Sequence, residues 1–227
     1  MTLSAGFDFS WNEVAFAVVK DGVTLFDRQL ALSGRDASKL PCWLLENLSE
    51  FKLDFNSIEE WTVGSGPGSF SGMRIAASFV DGLCFNRDAI RRRSMPTACA
   101  LAFPFMEKHK EVKRAVALFD GRKKDALAFP MIRRDNGAIA ATSSGMVMEK
   151  PDEALLPEDA LLVALSKDRV ALTSFLGKSL ADRILFADHV KAEALALNAP
   201  GDFSARTCDL VYIRPAVTVA PKAIRSI

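Results

Sequence analysis

The sequence is poor in most of what metal and redox chemistry requires. It has two histidines, His109 and His189, far apart and each without a histidine partner, so no histidine-based zinc motif can be read. Its four cysteines, Cys42, Cys84, Cys99 and Cys208, stand singly with no Cys-x-x-Cys. That pattern fits buried thiols of a reducing cytoplasm and excludes a disulfide frame. No charge of one sign dominates: 29 Lys+Arg face 28 Asp+Glu, so overall charge alone does not mark a polyanion binder. Long hydrophobic runs are missing too. The most apolar stretch, Met95–Met106, holds Pro96 and Pro104 and is too short to cross a bilayer. The first residues lack the basic and then apolar pattern of a secretory leader, with Asp8 interrupting them early. The expectation is a cytoplasmic protein with no membrane contact.

What is present is an apolar chain of moderate length. Its 227 residues are 49% hydrophobic, with a mean hydropathy of +0.12. One large α/β domain or two small lobes fit that length. The slight apolar excess fits a large core or a surface that a partner covers. Basic residues cluster at Arg91–Arg93, Arg122–Lys124 and Arg133–Arg134, and again after Tyr212. Short runs of this kind read as solvated strand edges or tails.

The patterning repeats. Leu3–Phe9 reads as a strand ending at Asp8, followed after a short turn by Val14–Lys20. Asp21-Gly22 marks a hairpin, since both residue types accept positive φ, and Val23–Leu30 returns. A helix is predicted over Ser38–Phe51 with Pro41 in its first turn. A short strand at Trp61–Gly64 follows, and a helix over Met73–Phe85. The second half opens the same way: Ala115–Phe119 ends at Asp120, Asp125–Arg133 follows, and Asp135-Asn136-Gly137 turns the chain into Ala138–Ser143. A strand at Leu161–Leu165, a helix at Arg169–Leu176, a strand at Ile184–Phe186 and a helix near His189–Leu197 complete it. Asp8 and Asp120 are thus equivalent points of two β-meanders. The expected fold is α/β, two-lobed and duplicated, of the actin, sugar-kinase and heat-shock-chaperone kind. Residues 1–100 form one lobe and 101–227 the other, the seam lies near 95–112, and a late helix returns to the first lobe.

Gly66-Pro67-Gly68-Ser69-Phe70-Ser71-Gly72-Met73-Arg74 is the most unusual stretch. Three glycines and a proline precede a helix that Ser69 or Ser71 is placed to cap. A helix start of this kind suits an anion. A Walker A loop requires Gly-Lys-Ser/Thr where Gly72-Met73-Arg74 stands, and a dinucleotide fingerprint requires glycine where Ser71 stands. A tight strand-to-helix turn is the competing reading. It requires at least one of Gly66, Gly68 and Gly72 to have positive φ or to lie where a Cβ has no room.

The string GPGSFSGMR closely resembles the GPGSFTGLR-type signature of the TsaB (YeaZ-like) family. Asp8 and Ser10 stand where that family has Asp-Thr-Ser, with Phe9 in place of the small residue. Asp120-Gly121-Arg122 resembles its Asp-Ala-Arg, and Val211-Tyr212-Ile213-Arg214 its Val-Tyr-Leu-Arg. The resemblance spans about residues 3–222. It implies a non-catalytic subunit for forming threonylcarbamoyladenosine on tRNA, with no cofactor or metal of its own. Its implied partners are a TsaD-like transferase and a TsaE-like ATPase, with tRNA met only through the complex; the sequence leaves homodimer and heterodimer both open. The expected partner surface is a pair of helices presenting Leu44, Leu45, Leu48, Ile75, Phe79 and Leu83. The rival reading is a small ATP-binding phosphotransferase or ATPase, in which Asp8 and Asp120 face phosphates and magnesium. In the subunit reading each aspartate caps its own turn. A peptidase reading finds no Ser/His/Asp order to support it.

Overall fold

The computed structural model describes residues 1–32, 34–87, 89–198, 203, 210, 211 and 213. Eleven strands and six α-helices are described. The first half contains β1 (Leu3–Asp8), β2 (Glu13–Lys20), β3 (Val23–Ala31), α1 (Leu40–Ser49), β4 (Glu60–Gly64), α2 (Phe70–Leu83) and β5 (Arg91–Met95). Then come α3 (Thr97–Lys108), β6 (Arg114–Asp120), β7 (Ala126–Arg133), β8 (Ile139–Ala141), β9 (Met146–Met148) and β10 (Ala160–Leu165). The last elements are α4 (Arg169–Leu176), α5 (Lys178–Ala181), β11 (Ile184–Ala187) and α6 (Glu193–Leu197).

The two sheets share one plan. The first runs β3-β2-β1-β4-β5 and the second, in the same sense, β8-β7-β6-β10-β11, with β9 added beside β7. In each, the first three strands are antiparallel and the last two join in parallel. The hairpin signals act as the sequence suggests. Asp21 and Gly22 have φ of 49° and 82°, and Gly137 has 84°, the left-handed values such turns require.

Alternation along β2 explains how one sheet is covered on both faces. Val14, Phe16 and Val18 enter a core with Phe7 of β1, Leu44 and Leu48 of α1, and Val80 of α2. Ala15 and Ala17 point the other way and meet Ala192, just before α6. These small side chains let α6 approach β1 and β2 closely. In the second lobe Ala115, Ala117 and Phe119 of β6 join α3 and α6, while Val116 and Leu118 join Leu172 and Leu176 of α4. Each fully buried Phe or Leu contributes about 1.5–3 kcal/mol through loss of apolar surface from water.

Several expectations need correction. A division at residue 100 falls inside α3, which is continuous from Thr97 and packs against the second sheet. Leu44 and Leu48 are fully buried in the chain's own core, so they are not available to a partner. The helical stripe they define faces the sheet beneath it. Helix α2 begins at Phe70, three residues before the predicted Met73, because Ser69 accepts a hydrogen bond from the Gly72 N–H and sets the start there. Helix α1 begins at Leu40 after a 3-10 turn over Gly34–Lys39. Helix α6 is only Glu193–Leu197. Strands β5 and β9 were not anticipated.

Candidate functional site

The turn after β1 and the glycine-rich loop before α2 form one buried knot. The Asp8 carboxylate accepts hydrogen bonds from the Ser10 N–H at 2.9 Å, the Ser10 hydroxyl at 2.9 Å and the Thr97 hydroxyl at 2.5 Å. Thr97 Oγ1 in turn accepts from the Gly66 N–H at 3.1 Å, and the Thr97 N–H donates to the Gly66 carbonyl at 2.7 Å. Asp8, Ser10 and Thr97 are all buried. Burial pushes the Asp8 carboxyl above its ordinary range, and the Thr97 and Ser10 donors act against that rise.

The loop lies directly on this turn. Ser69 N–H donates to the Ser10 carbonyl. A Cβ added at Gly68 would lie 1.9 Å from Ser10 O, and one at Gly72 would lie 2.0 Å from Phe9 O. Gly66 has φ of +100° and follows Ser65, whose N–H donates to the Met95 carbonyl at 2.8 Å. All three glycines are therefore required by the backbone, two by close approach and one by φ. The Gly66–Pro67 peptide is cis. Phe70 and Arg74 face outward together, the guanidinium 3.6 Å from the ring centroid, and Ser71 is exposed. Val211 N–H donates to the Ser65 carbonyl at 2.9 Å, which places Val211 beside the loop. Tyr212 and Arg214 lie outside the described residues.

Asp120 ends β6 and Arg122 follows it in the turn to β7. The Arg122 N–H donates to Asp120 Oδ1 at 2.9 Å, the same i to i+2 turn that Asp8 makes with Ser10. Among the described residues no loop lies on this second turn as the glycine loop lies on the first, and Arg122, Lys123 and Lys124 are exposed. Asp168, ahead of α4, accepts from the Asp120 N–H at 3.4 Å. Burial raises the Asp168 carboxyl above its ordinary range, against the Asp120 N–H and Lys167.

Between the lobes lies a cleft of about 120 Å³ lined by Asp8, Trp11, Glu13, Lys167 and His189, among others. The Trp11 ring stacks on Phe119 of β6 with centroids 5.4 Å apart, and the Lys167 ammonium lies 3.7 Å from its centroid. Burial lowers the Lys167 pKa, with the neighbouring Asp168 acting the other way. His189 Nδ1 meets the Glu13 carboxylate at 2.8 Å. Among the described residues no group of three or more His, Cys, Asp or Glu could hold a metal, and no helix is long and apolar enough to cross a membrane.

Sequence reasoning singled out Asp8, Ser10 and the glycine loop separately, without placing them in contact, and left out Thr97, Trp11, Lys167 and Asp168. Ser166-Lys167-Asp168 ahead of α4 carried a helix-start signal that could have drawn attention to Asp168. Thr97 is contributed from far along the chain, where no local pattern announces it. Of the proposed partner residues, Leu45 is 42% exposed, while Ile75, Phe79 and Leu83 are half-buried against the first core.

Two sheets of the same order, facing one another across an aspartate-flanked cleft, define the duplicated two-lobed fold of the actin, sugar-kinase and heat-shock-chaperone class. Within that class the chain shares its fold with YeaZ from Pseudomonas aeruginosa, at 18% identity and a TM-score of 0.68, over 87% of this chain and 90% of that one. An uncharacterized protein described as similar to peptidase YeaZ, also from Pseudomonas aeruginosa, matches at 19% identity and a TM-score of 0.65, over 86% and 88% of the two chains. No protein-family profile matches the sequence, and no curated protein does.

Proposed function

We propose that this chain is a TsaB-type scaffold subunit, which pairs with a TsaD-like transferase in threonylcarbamoyladenosine formation on tRNA and performs no chemistry alone. The observation that carries this reading is the knot between the glycine loop and the first aspartate turn. The family-signature residues Gly66, Gly68 and Gly72 fit against Ser10, Phe9 and Thr97, and Asp8 is engaged by donors of the same chain. A phosphate at Asp8 would have to displace those donors. The likeness to YeaZ over nearly the whole of both chains supports the same reading.

The nucleotide alternative is less well supported. The interlobe cleft of about 120 Å³ is small beside the roughly 300–1,000 Å³ of ordinary ligand pockets.

The test is reconstitution with the transferase and ATPase of the same genome. The chain should co-purify with the transferase, and the modification should require both. ATP turnover by the isolated chain, abolished by Asp8→Ala, would overturn the scaffold reading. The partner surface is assigned to the exposed side of α1 and α2. Leu45, with 42% of its surface exposed, is the position to charge. Phe79 is unsuitable because its ring packs edge-on against Phe7 and Phe55. Leu45→Glu should leave a folded chain that no longer associates, since central apolar anchors typically contribute about 2 kcal/mol or more. Unchanged association by analytical ultracentrifugation would place the contact elsewhere.

A further inference from the structure

The three internal basic runs differ in how their charges are held. In the first, Arg91 pairs with Glu60 and Arg92 with Asp81, while Arg93 donates to Thr62 Oγ1 at 2.9 Å and to the Asn198 carbonyl at 3.1 Å. In the third, Arg133 pairs with Glu107 at 2.9 Å and donates to the Met106 carbonyl. The middle run, Arg122-Lys123-Lys124, makes no ion pair within 4.0 Å among the described residues, and all three side chains are exposed.

Two further cations flank it. Lys167 is held over Trp11 at 3.7 Å, and the Arg169 guanidinium over Phe186 at 3.8 Å. The turn is joined to this segment by the bond from Asp120 N–H to Asp168. Three carboxylates lie in the turn and ahead of α4, and two of them accept backbone N–H groups: Asp120 from Arg122 and Asp168 from Asp120; Lys167 also faces Glu13 and Asp8 on its cleft side. The third, Asp125, has its Oδ1 packed over Gly121. The acids therefore brace the turn while the bases extend from it. The backbone also pays a conformational cost here. Arg122 has φ of 64° and Lys124 has φ of 59°, while Lys123 between them is not left-handed. Left-handed values are uncommon for such residues.

We infer that this open second turn is a docking surface for the phosphate backbone of RNA, formed by Arg122, Lys123, Lys124, Lys167 and Arg169. Cations fixed by aromatic rings and a braced turn suit a chain of regularly spaced phosphates. A membrane surface fits less well: among the described residues beside the patch the strongly exposed apolar side chain is the short Val170, and the rings of Trp11 and Phe186 are covered by Lys167 and Arg169. This goes beyond the scaffold reading, in which RNA is met only through the partner, and does not depend on it.

The test uses the full chain alone, so that failure of the transferase pairing does not affect it. Fluorescence anisotropy with a labelled RNA hairpin is followed from about 50 to 200 mM salt, where phosphate contacts weaken most visibly. The double variant Lys123→Glu/Lys124→Glu should lose affinity at least tenfold. It should also reduce the salt slope by about 1 for each contact removed, with an unchanged melting temperature. A control with the same charge change at remote exposed sites, Lys20→Glu/Lys150→Glu, should bind as the unaltered chain does. Equal losses in both variants, no loss in the first, or no binding by the unaltered chain each overturn the proposal. So does binding to phosphatidylserine vesicles in preference to the hairpin.

Discussion

The Asp8 and Asp120 turns are one device used twice, and their surroundings have diverged. Each aspartate follows the first strand of its lobe and accepts the N–H two residues on at 2.9 Å. The first is sealed: Asp8 is 1% exposed, and a glycine loop is pressed onto the turn. The second is open and carries three exposed bases. A duplicated backbone preserves the local hydrogen bond because that bond depends only on residues i to i+2. What lies over the turn is set by loops elsewhere in the chain, which are free to change. Equivalent positions in the two lobes therefore need not share a task.

The strongest way to break this contrast is to pry the loop from the first turn. Gly72 sits in the first turn of α2, where alanine would ordinarily favour the helix by about 1 kcal/mol. Here its Cβ would lie 2.0 Å from Phe9 O, and overpacking against backbone costs more than propensity returns. Gly72→Ala should lower stability by about 3 kcal/mol in chemical denaturation. Gly82→Ala in the same helix, where nothing lies within 4 Å of the new carbon, should be neutral or stabilising. If Gly72→Ala also proved neutral, the first turn would not be sealed as described.

A smaller effect compares the aspartates themselves. Asp8→Ala strands a buried N–H and two buried hydroxyls and should cost about 2–3 kcal/mol. Asp120→Ala leaves the Arg122 N–H to water and should cost about 1 kcal/mol or less. Equal costs in urea titrations would mean that the two turns are equivalent after all.

A third test concerns the first lobe's contact with α6. Burial pushes the Asp27 carboxyl up to about 6, opposed by Lys191 and reinforced by Glu193. A folded pKa above the ordinary 3.8 means that ionisation is disfavoured in the folded state. The contribution to stability is fully present below about pH 3.8 and is lost as pH rises through about 6. Allowing for partial exposure, the fall should be about 1–2 kcal/mol. It should be absent in Asp27→Asn, as denaturation at pH 4, 5, 6 and 7 would reveal. A flat profile in the parent chain would remove Asp27 from the account.

The smallest effect is a gain. Lys124 holds φ of 59° in the open turn, and glycine adopts that value without strain, although it also loosens the unfolded chain. Lys124→Gly should raise stability by about 0.5 kcal/mol while weakening RNA binding. A stability loss of 1 kcal/mol or more would show that the lysine side chain is structural.

Much of the architecture was legible in the sequence because it rests on local signals. Asp21-Gly22 and Asp135-Asn136-Gly137 announced two hairpins, and the apolar runs Val14–Lys20 and Ala115–Phe119 announced strands. Strand β5 was not legible. Its sequence Arg-Arg-Arg-Ser-Met reads as a charge run, yet Arg93 is buried and held by Thr62 and Asn198. Only tertiary partners make that position possible. The loop of the site was legible through its glycines, whereas Thr97 and Trp11 were not, because contacts between distant segments leave no periodicity. Leu44 and Leu48 were misassigned because an amphipathic stripe does not say whether a sheet or another molecule covers it.

Asn198 shows how the exposed end of the second sheet is protected. Strand β8 is the last in its sheet, and such an edge is a template for another chain's backbone. The Asn198 side chain occupies it as a strand residue would. Its Oδ1 accepts from the Ile139 N–H at 2.8 Å and its Nδ2 donates to the Ile139 carbonyl at 2.8 Å. One amide thus satisfies both outward-facing groups of Ile139, and Asn198 is itself anchored through its carbonyl by Arg93. The sheet is terminated from within the molecule, and growth of a cross-β fibre from this edge would first have to expel a side chain held by the opposite lobe.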